Sequence, residues 1–479
     1  MQAFVDTLTV WAGNAADFVW NSILLVVLVG TGLYLTIRLG FIQIRKFGTG
    51  WRSMFGGFSL SGKKADKDGM SSFQAAATSI AAQVGTGNIV GCATAILLGG
   101  PGAVFWIWVA AFLGMATIYS EAVLAQHFKT RDGDGNVIGG PVYYIRAAFK
   151  GAFGKFLAGF FAVAIILALG VMGNMVQANA ISNAFATAFH VPAVAVGVIL
   201  AIISAFIFMG GVTRIASVTE KLVPVMAVCY LVGSLIIVFA NITSLPRVFH
   251  DIFVGAFDPE AIVGGGVGIG MMQAVRYGVA RGLFSNEAGL GSTPHAHAMA
   301  KVDKPQDQGH IAIVCVFIDT FVVLTLTAMV ILTTGVNTAY TGDDSVADSL
   351  AQMAFGTLFG TNLGNMFVAI CLFFFAFSTI IGWYFFGEQN VKYLFGVKAV
   401  KVYSVIVVIC VVIGSLMELP LVWNLSDFFN AVMALPNLIA LLALSGLVVR
   451  ITKGRNPPPS QLGKKAPCSP ERKITPRPF

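Results

Sequence analysis

Two polar, glycine-rich segments interrupt otherwise apolar stretches of this 479-residue chain. The first covers residues 83–88 (QVGTGN), inside an apolar run from residue 73 to 98. The second covers residues 285–291 (SNEAGLG), at the end of a run that starts near residue 264. Both should fall at membrane depth, where an unpaired backbone group is costly and a break is tolerated only where it lines a buried cavity. Paired breaks in corresponding halves of a chain predict the substrate site of a transporter.

The first break has the chemistry to hold a small zwitterion. Gly85 and Gly87 allow the backbone to leave helical geometry at low steric cost. Amide groups at the start of the following half-helix suit a carboxylate, and carbonyls at the end of the preceding one suit a cation or an ammonium. The alternative is that small residues merely let helices pack closely. We favour packing for Gly91 and function for residues 85–88, where Thr86 and Asn88 cluster with the glycines.

The second break contains an intramembrane carboxylate, Glu287, which is a functional candidate by default. Arg281 lies six residues earlier, so an ion pair between the two is the structural alternative. A gating or coupling role for Glu287 and Arg281, and direct contact of Glu287 with the transported species, both stay open. We expect the other membrane acids to be ion-paired near helix ends; these acids are Glu121, Asp319 and Glu388.

Two further polar clusters lie within apolar segments. Gln177 and its neighbouring asparagines are of the type that usually hold helices together through amide hydrogen bonds. The adjacent hydroxyls of Ser378 and Thr379 could bond back to their own helix. Opposite free carbonyls, they could instead complete an oxygen cage for a hard cation such as sodium. Trp383, one turn further, could cap a small side-chain pocket.

The composition identifies an all-α polytopic membrane protein. Hydrophobic residues make up 57% of the chain and charged residues 11%, and the mean hydropathy is +0.81, which excludes an ordinary soluble domain. A transmembrane helix needs about 20 apolar residues. By that criterion the sequence predicts eleven spans, at about 17–37, 73–98, 102–128, 155–187, 193–211, 217–240, 264–300, 309–336, 363–393, 399–416 and 421–450.

The placement of basic residues predicts the orientation. Of the 30 Lys and Arg residues, nineteen lie in alternate loops and eight in the tail from residue 450, whereas the opposite loops hold only Arg247. This positive-inside pattern places the N-terminus outside and the C-terminus in the cytoplasm. It also explains the net charge of +8 without a nucleic-acid partner. We expect a bacterial-type inner (plasma) membrane protein of unknown oligomeric state, with no cofactor besides a co-transported ion. The cysteines show no metal spacing and are interpreted as small core residues without a disulfide framework.

With the first span set aside, the breaks fall in the first and sixth of the ten remaining spans. A unit of five spans is odd, so the second unit must enter the membrane from the opposite side, which predicts a 5+5 inverted repeat. The predicted organisation is an extra N-terminal helix with a basic loop, two five-helix repeats and a basic, disordered tail; the ranges are 1–69, 70–245, 246–450 and 451–479.

Three motifs carry a family resemblance. They are residues 83–91 (QVGTGNIVG), 99–103 (GGPGA) and 284–292 (FSNEAGLGS). Together they resemble the alanine or glycine:cation symporter (sodium:alanine symporter) family over about residues 15–450. The resemblance implies a LeuT-type inverted-repeat fold behind one extra helix, and sodium-coupled uptake of alanine or glycine.

The resemblance also implies site residues. Residues 84–88 (VGTGN) look like the first broken helix of the leucine-transporter type, which reads VGLGN. One sodium site then maps onto Ala81, Val84, Phe375, Ser378 and Thr379. A second sodium site is in doubt because the second break departs from that broader fold. Within the family, residues that resemble the lining of the alanine pocket are Gln177, Phe284, Thr379 and Trp383.

The sequence therefore predicts a sodium symporter for alanine or glycine that works by alternating access. The predicted substrate-binding residues are Val84, Gly85, Thr86, Gly87, Asn88, Gln177, Phe284, Ser285, Thr379 and Trp383. The rivals are a proton-coupled transporter with Glu287 or Asp319 as carrier, a channel, and a membrane enzyme. A channel would need a continuous polar face, and an enzyme would need a nucleophile with its base, of which no set is visible.

Overall fold

The structure is a computed structural model, and it describes residues 2–56, 65, 69–132, 134–258, 270–336, 346–417 and 420–455. Nearly the whole predicted tail, 451–479, lies outside these residues, as do parts of the first basic loop. Helices make up most of the described chain. Its one hairpin is small and antiparallel, with β1 (Thr130–Arg131) paired with β2 (Val137–Ile138).

The helices of the first half run up to residue 255. In chain order they are α1 (Gln2–Phe18), α2 (Leu25–Arg38), α3 (Ile42–Arg45), α4 (Phe47–Phe55), α5 (Ser72–Gln83), α6 (Cys92–Gly99), α7 (Ala103–Phe128), α8 (Pro141–Ala148), α9 (Gly151–Ile165), α10 (Asn174–Phe189), α11 (Ala193–Phe208), α12 (Gly211–Ala240) and α13 (Leu245–Gly255). Short π-helical segments at Val19–Leu24, Gly87–Gly91 and Ile166–Gly173 join some of them, and a 3-10 turn at Ile242–Ser244 precedes α13.

The helices of the second half begin at residue 271. They are α14 (Met271–Asn286), α15 (Pro294–Ala298), α16 (Pro305–Val316), α17 (Thr325–Thr334), α18 (Ala347–Phe359), α19 (Thr361–Phe395), α20 (Val400–Leu416) and α21 (Pro420–Thr452). A π-helical segment, Phe317–Leu324, joins α16 to α17, and a 3-10 turn, Val397–Ala399, joins α19 to α20.

Seven helices of the described chain are long and apolar enough to cross a membrane. They are Ala103–Phe128, Gly151–Phe189, Gly211–Ala240, Pro305–Thr334, Thr361–Phe395, Val397–Leu416 and Leu421–Thr452. The pair Ser72–Gln83 and Gly87–Gly99, bent by 53°, makes an eighth if it is one span. The all-helical membrane class is confirmed, while the count of eleven spans and the 5+5 repeat stay predictions.

Local interactions explain where the helix before the first break begins and where it ends. Ser71 and Gln74 form a capping box that starts α5, with the Ser71 hydroxyl accepting from the Gln74 amide at 3.1 Å and the Gln74 side chain accepting from the Ser71 amide at 3.0 Å. The helix ends at Gln83 because Val84 adopts an extended conformation (φ −82°, ψ 91°). Helical geometry resumes at Gly87.

The second break is a longer departure from helical geometry. Glu287 follows α14 in the left-handed region (φ 57°), which is uncommon for a residue with a side chain. Gly289 (φ 89°) and Gly291 (φ 80°) continue the irregular path, which glycine tolerates at low cost. Helix α15 then begins at Pro294. The fold brings this break beside the first one, since α14 packs on α6 and on the segment Gly87–Gly91, while α19 packs on α5 and α10.

Candidate functional site

The first break redirects two backbone amides onto side chains. In an unbroken helix the Gly85 amide would bond to the Ala81 carbonyl. Instead it donates to Asn88 Oδ1 at 2.9 Å. The Thr86 amide donates to Gln177 Oε1 at 3.2 Å, and the Gln177 side-chain amide donates back to Thr86 Oγ1 at 3.0 Å. Gln177 of α10 therefore contacts the break directly, beyond the helix-joining role that amides usually have.

Hydroxyls of α19 meet the carbonyl that the break leaves free. Thr379 Oγ1 lies 3.0 Å from the Ala81 oxygen, 3.3 Å from the Val84 oxygen and 3.1 Å from the Phe375 oxygen. Ser378 Oγ lies 3.1 Å from the Ala81 oxygen and 2.8 Å from the Phe375 oxygen. All five residues predicted for the sodium site come together here and are buried. Two hydroxyl protons are available to three carbonyl oxygens. The cluster therefore has more oxygen lone pairs than protons that could form hydrogen bonds with them.

The close approach of α19 explains one of the glycines. A Cβ built on Gly85 would lie only 2.5 Å from Thr379 Oγ1 and 3.2 Å from Gln177 Oε1. A Cβ on Gly91 would meet nothing within 4 Å, and Gly91 is partly exposed. The prediction that Gly91 allows tight helix packing is therefore wrong, because a side chain at this position would point into open space.

The second break supplies a pocket wall and a carboxylate. Phe284 and Trp383 are both buried, and their rings lie edge to face with centroids 6.4 Å apart. The Trp383 indole N–H donates to Glu287 Oε1 at 2.5 Å, and the Ser292 hydroxyl donates to Glu287 Oε2 at 2.5 Å. A Cβ on Gly87 would lie 3.5 Å from the Phe284 ring. The predicted pocket residues of the two breaks thus lie side by side.

The suggested ion pair between Arg281 and Glu287 does not form. Arg281 instead lies 3.7 Å from an Asp427 carboxylate oxygen on α21. The reason is local, since α14 ends at Asn286 and Glu287 takes a left-handed conformation that carries its side chain to Trp383. Arg276 pairs with Asp17 of α1 at 2.6 Å.

Asp319 links the two breaks, which the sequence reasoning missed. Its carboxylate accepts hydrogen bonds from the Asn88 side chain at 2.6 Å, from the Ser285 hydroxyl at 3.1 Å and from the Thr320 hydroxyl at 2.8 Å. Asp319 is fully buried. The expected ion pair is wrong, since the partners of the Asp319 carboxylate are the neutral side chains of Asn88, Ser285 and Thr320. Its position as an intramembrane acid was the available signal.

Glu121 also differs from its expected ion pairing. This buried residue of α7 accepts from the amides of Gly289 at 3.3 Å and Gly291 at 3.1 Å, and from the Asn437 side chain at 2.5 Å. Neutral N–H groups therefore satisfy it, and it fixes the irregular backbone of the second break. For Glu388 the expectation is confirmed, because Lys392 lies 2.5 Å from it one turn later.

A polytopic helical protein in which two helix breaks meet at a buried polar cluster belongs to the class of membrane transporters. The particular family follows from the sequence, since the profile of the sodium:alanine symporter family matches residues 5–457. The chain belongs to this family. It is therefore a transporter and not an enzyme.

Curated relatives cover nearly the whole chain. The sodium/alanine symporter AgcS of Methanococcus maripaludis is 43% identical over 442 residues, which are 92% of this chain and 95% of that protein. The amino-acid carrier protein AlsT of Bacillus subtilis is 41% identical over 455 residues, 95% and 92% of the two chains. The probable sodium/glutamine symporter GlnT of Bacillus subtilis is 39% identical over 442 residues, 92% and 89% of the two chains.

A solved structure supports the fold. MhsT, crystallised with L-phenylalanine, superposes with a TM-score of 0.57 and 12% sequence identity, covering 82% of this chain and 99% of its own. The likeness concerns the fold alone, and it agrees with the LeuT-type fold that the sequence resemblance implies.

Proposed function

We propose that this protein is a sodium-coupled secondary symporter that imports alanine or glycine by alternating access. In this proposal the chain crosses an inner (plasma) membrane eleven times, with the N-terminus outside, and residues 70–245 and 246–450 form the inverted repeats. The observation that carries the proposal is the group of oxygens from Ser378 and Thr379 around the freed Ala81 carbonyl. The names of the relatives support sodium and alanine as the transported species.

Sodium binding is supported by the composition of that cluster, in which carbonyl and hydroxyl oxygens outnumber the hydroxyl protons. Hard cations prefer hydroxyl, carbonyl and carboxylate oxygens. The carbonyls of Ala81, Val84 and Phe375, with the hydroxyls of Ser378 and Thr379, offer five such ligands from α5, α19 and the first break. A bound ion would tie the break to α19 and so favour the conformation in which the substrate pocket is formed.

The amino acid would bind next to the ion. Its carboxylate would accept from the Gln177 side chain and from amides of residues 85–87, with Gln177 exchanging its present bond to Thr86. Its ammonium would bind carbonyls near Ala81 and Phe284. The Asp319 carboxylate has no cationic partner among the hydrogen bonds described above, and it contacts both breaks through Asn88 and Ser285. Its negative charge would offset the positive charge of the bound sodium and ammonium.

Phe284 and Trp383 would limit the side chain of the substrate. In this proposal the two edge-to-face rings, with centroids 6.4 Å apart, would admit a hydrogen or a methyl group and would crowd larger groups. Discrimination between glycine and alanine should be weak, because one methylene is worth only about 1–3 kcal/mol. Net inward movement of one positive charge would gain about 2.3 kcal/mol per 100 mV of membrane potential.

The test is uptake of radiolabelled alanine into proteoliposomes under an imposed sodium gradient. We expect uptake to require inward-directed sodium and to be inhibited by unlabelled glycine. Glutamine should compete poorly, although one relative is named for it. Sodium-independent glutamine uptake would contradict both the ion and the substrate.

The alternative is a proton-coupled amino-acid transporter, and the buried acids Glu287 and Asp319 beside the pocket favour it. The same vesicles distinguish the two. Alanine uptake that persists without sodium but needs a pH gradient would establish the proton-coupled mechanism and exclude ours.

A further inference from the structure

A short helix outside the proposed substrate pocket presents a surface of mixed aromatic and basic side chains. Helix α4 has nine residues and is therefore about 14 Å long, less than half of the roughly 30 Å that a membrane span must cover. It follows α3 directly, and both come after the first long apolar helix, α2. We call the outer surface of α3 and α4 the α4 face, and its residues are Ile44, Arg45, Lys46, Trp51, Arg52 and Phe55.

The opposite side of α4 is packed against α16 and the π-helical segment that follows it. Met54 is buried, and a side chain in place of Gly50 would collide with the backbone carbonyl of His310 on α16. The rings of Phe47 and Phe317 meet edge to face, with centroids 4.8 Å apart. These contacts hold α4 in one orientation, so the α4 face points away from the rest of the protein.

The apolar side chains of the α4 face suit the boundary between water and hydrocarbon. Trp51 is 42% exposed and Phe55 is 40% exposed, and their rings lie 4.7 Å apart. Ile44 on α3 is 62% exposed. Tryptophan is enriched at this boundary because its ring is apolar whereas its N–H group is polar. A short helix with exposed aromatic and basic side chains is typical of a helix that lies in the membrane interface.

The basic side chains of the α4 face carry an excess of positive charge. Between residues 18 and 65 the sequence contains no Asp or Glu. Among the residues that the structure describes, none forms an ion pair with Arg45, Lys46 or Arg52. The neighbouring helix α16 brings one acid, Asp307, in its first turn. Three positive charges beside one negative charge are complementary to an anionic group.

We propose that the α4 face binds an anionic phospholipid of the adjacent membrane leaflet. The lipid phosphate would accept charge-assisted hydrogen bonds from Arg45, Lys46 and Arg52. Its acyl chains would cover Trp51 and Phe55, which a soluble phosphate would leave exposed, and the partner is for this reason a lipid. Neither sodium nor alanine takes part, so the proposal goes beyond the proposed function and does not depend on it.

The experiment measures how lipids with bromine atoms near the glycerol end of their acyl chains quench the fluorescence of Trp51. The purified full chain is placed in phosphatidylcholine nanodiscs that contain an increasing fraction of brominated phosphatidylglycerol or of brominated phosphatidylcholine. Because the chain has seven tryptophans, the signal of Trp51 is the difference between the wild type and Trp51→Phe. Half-maximal quenching should need about fivefold less of the anionic lipid, the factor that about 1 kcal/mol represents.

The triple variant Arg45→Gln/Lys46→Gln/Arg52→Gln removes the basic side chains and keeps the aromatic ones. We expect the two brominated lipids to become equivalent quenchers of Trp51. Arg52→Gln alone, which changes one exposed side chain, should reduce the preference for the anionic lipid and serves if the triple variant does not fold. Inorganic phosphate added at constant ionic strength should leave the preference of the wild type unchanged.

A second triple variant, Lys150→Gln/Lys155→Gln/Lys398→Gln, is the control with the same change in net charge. It removes three exposed lysines from other parts of the chain and should keep the preference for the anionic lipid. Equal quenching by the two lipids in the wild type, or an equal loss of preference in the control, would overturn the proposal. Loss of preference in inorganic phosphate would show that the site takes a soluble anion instead. Weak quenching by both lipids would show that protein covers the α4 face, which also contradicts the proposal.

Discussion

The Trp383 indole N–H donates to the Glu287 carboxylate at 2.5 Å, so the pocket wall on α19 is held by the second break. From the sequence alone, three roles for Glu287 stayed open: an ion pair with Arg281, gating or coupling, and direct contact with the transported species. In the structure its two oxygens accept from Trp383 and Ser292, both of them neutral donors. We therefore propose that Glu287 positions the aromatic wall.

Glu287→Ala should free the Trp383 side chain, because it removes the acceptor of the indole hydrogen bond. We expect reduced alanine uptake and new inhibition by larger amino acids such as valine, since Trp383 can then turn away from Phe284. The unpaired buried indole should also destabilise the protein by about 1–3 kcal/mol. Glu287→Gln keeps an acceptor for the indole and should retain the narrow substrate range. Competition assays on both variants check this.

Trp383→Ala should widen the substrate range by itself. If Glu287 acts through Trp383, the double variant Glu287→Ala/Trp383→Ala should have the substrate range of Trp383→Ala, because effects that share one mechanism do not add. Additive widening in the double variant would mean that Glu287 contacts the substrate directly.

Thr379→Ala should weaken sodium dependence. It removes the hydroxyl that lies within 3.0–3.3 Å of three carbonyl oxygens, and hence one of five proposed ligands. We expect the sodium concentration for half-maximal alanine uptake to rise about tenfold, which corresponds to about 1.4 kcal/mol. Thr379→Ser keeps the hydroxyl and is the matched control. An unchanged sodium titration in Thr379→Ala would remove this residue from the ion site.

Gly85→Ala and Gly91→Ala form a matched pair on the same broken span. A methyl group at Gly85 would lie 2.5 Å from Thr379 Oγ1, so it must push α19 away and disrupt the proposed ion site. At Gly91 a methyl group meets nothing within 4 Å, and helical alanine is favoured over glycine by about 1 kcal/mol. We expect Gly85→Ala to abolish sodium-dependent uptake and Gly91→Ala to retain it. Equal activity of the two would contradict the close approach.

The residue types in the sequence predicted where the two helices break, but they did not predict every side chain that contacts the breaks. Glycines, amides and hydroxyls in apolar runs predicted where helices unwind, and the resemblance predicted which residues of α5 and α19 meet. The partner of Arg281 was missed, because an acid six residues away appeared nearer than Asp427 on α21. The same limit applies to Asp319, whose contact with Asn88 spans 231 positions. Such contacts depend on how whole helices pack, which periodicity does not encode.

Asp319→Asn should uncouple the two breaks. The Asp319 carboxylate accepts from Asn88, Ser285 and Thr320, and an asparagine would turn an N–H group towards at least one of these donors. Loss of one buried hydrogen bond to a charged group costs about 1.5–3 kcal/mol. We therefore expect the apparent affinities for alanine and sodium to fall together, by roughly tenfold or more.

The exchange variant Asn88→Asp/Asp319→Asn tests whether the contact itself matters. Asn88→Asp alone places two carboxylates 2.6 Å apart and should be the most impaired variant. In the exchange variant the amide and the carboxylate trade places, so one hydrogen bond across the breaks is restored, and an aspartate at 88 can still accept from the Gly85 amide. Partial recovery of sodium-dependent alanine uptake above both single variants is expected. Uptake no better than in Asn88→Asp would show that Asp319 acts through its position alone and not through Asn88.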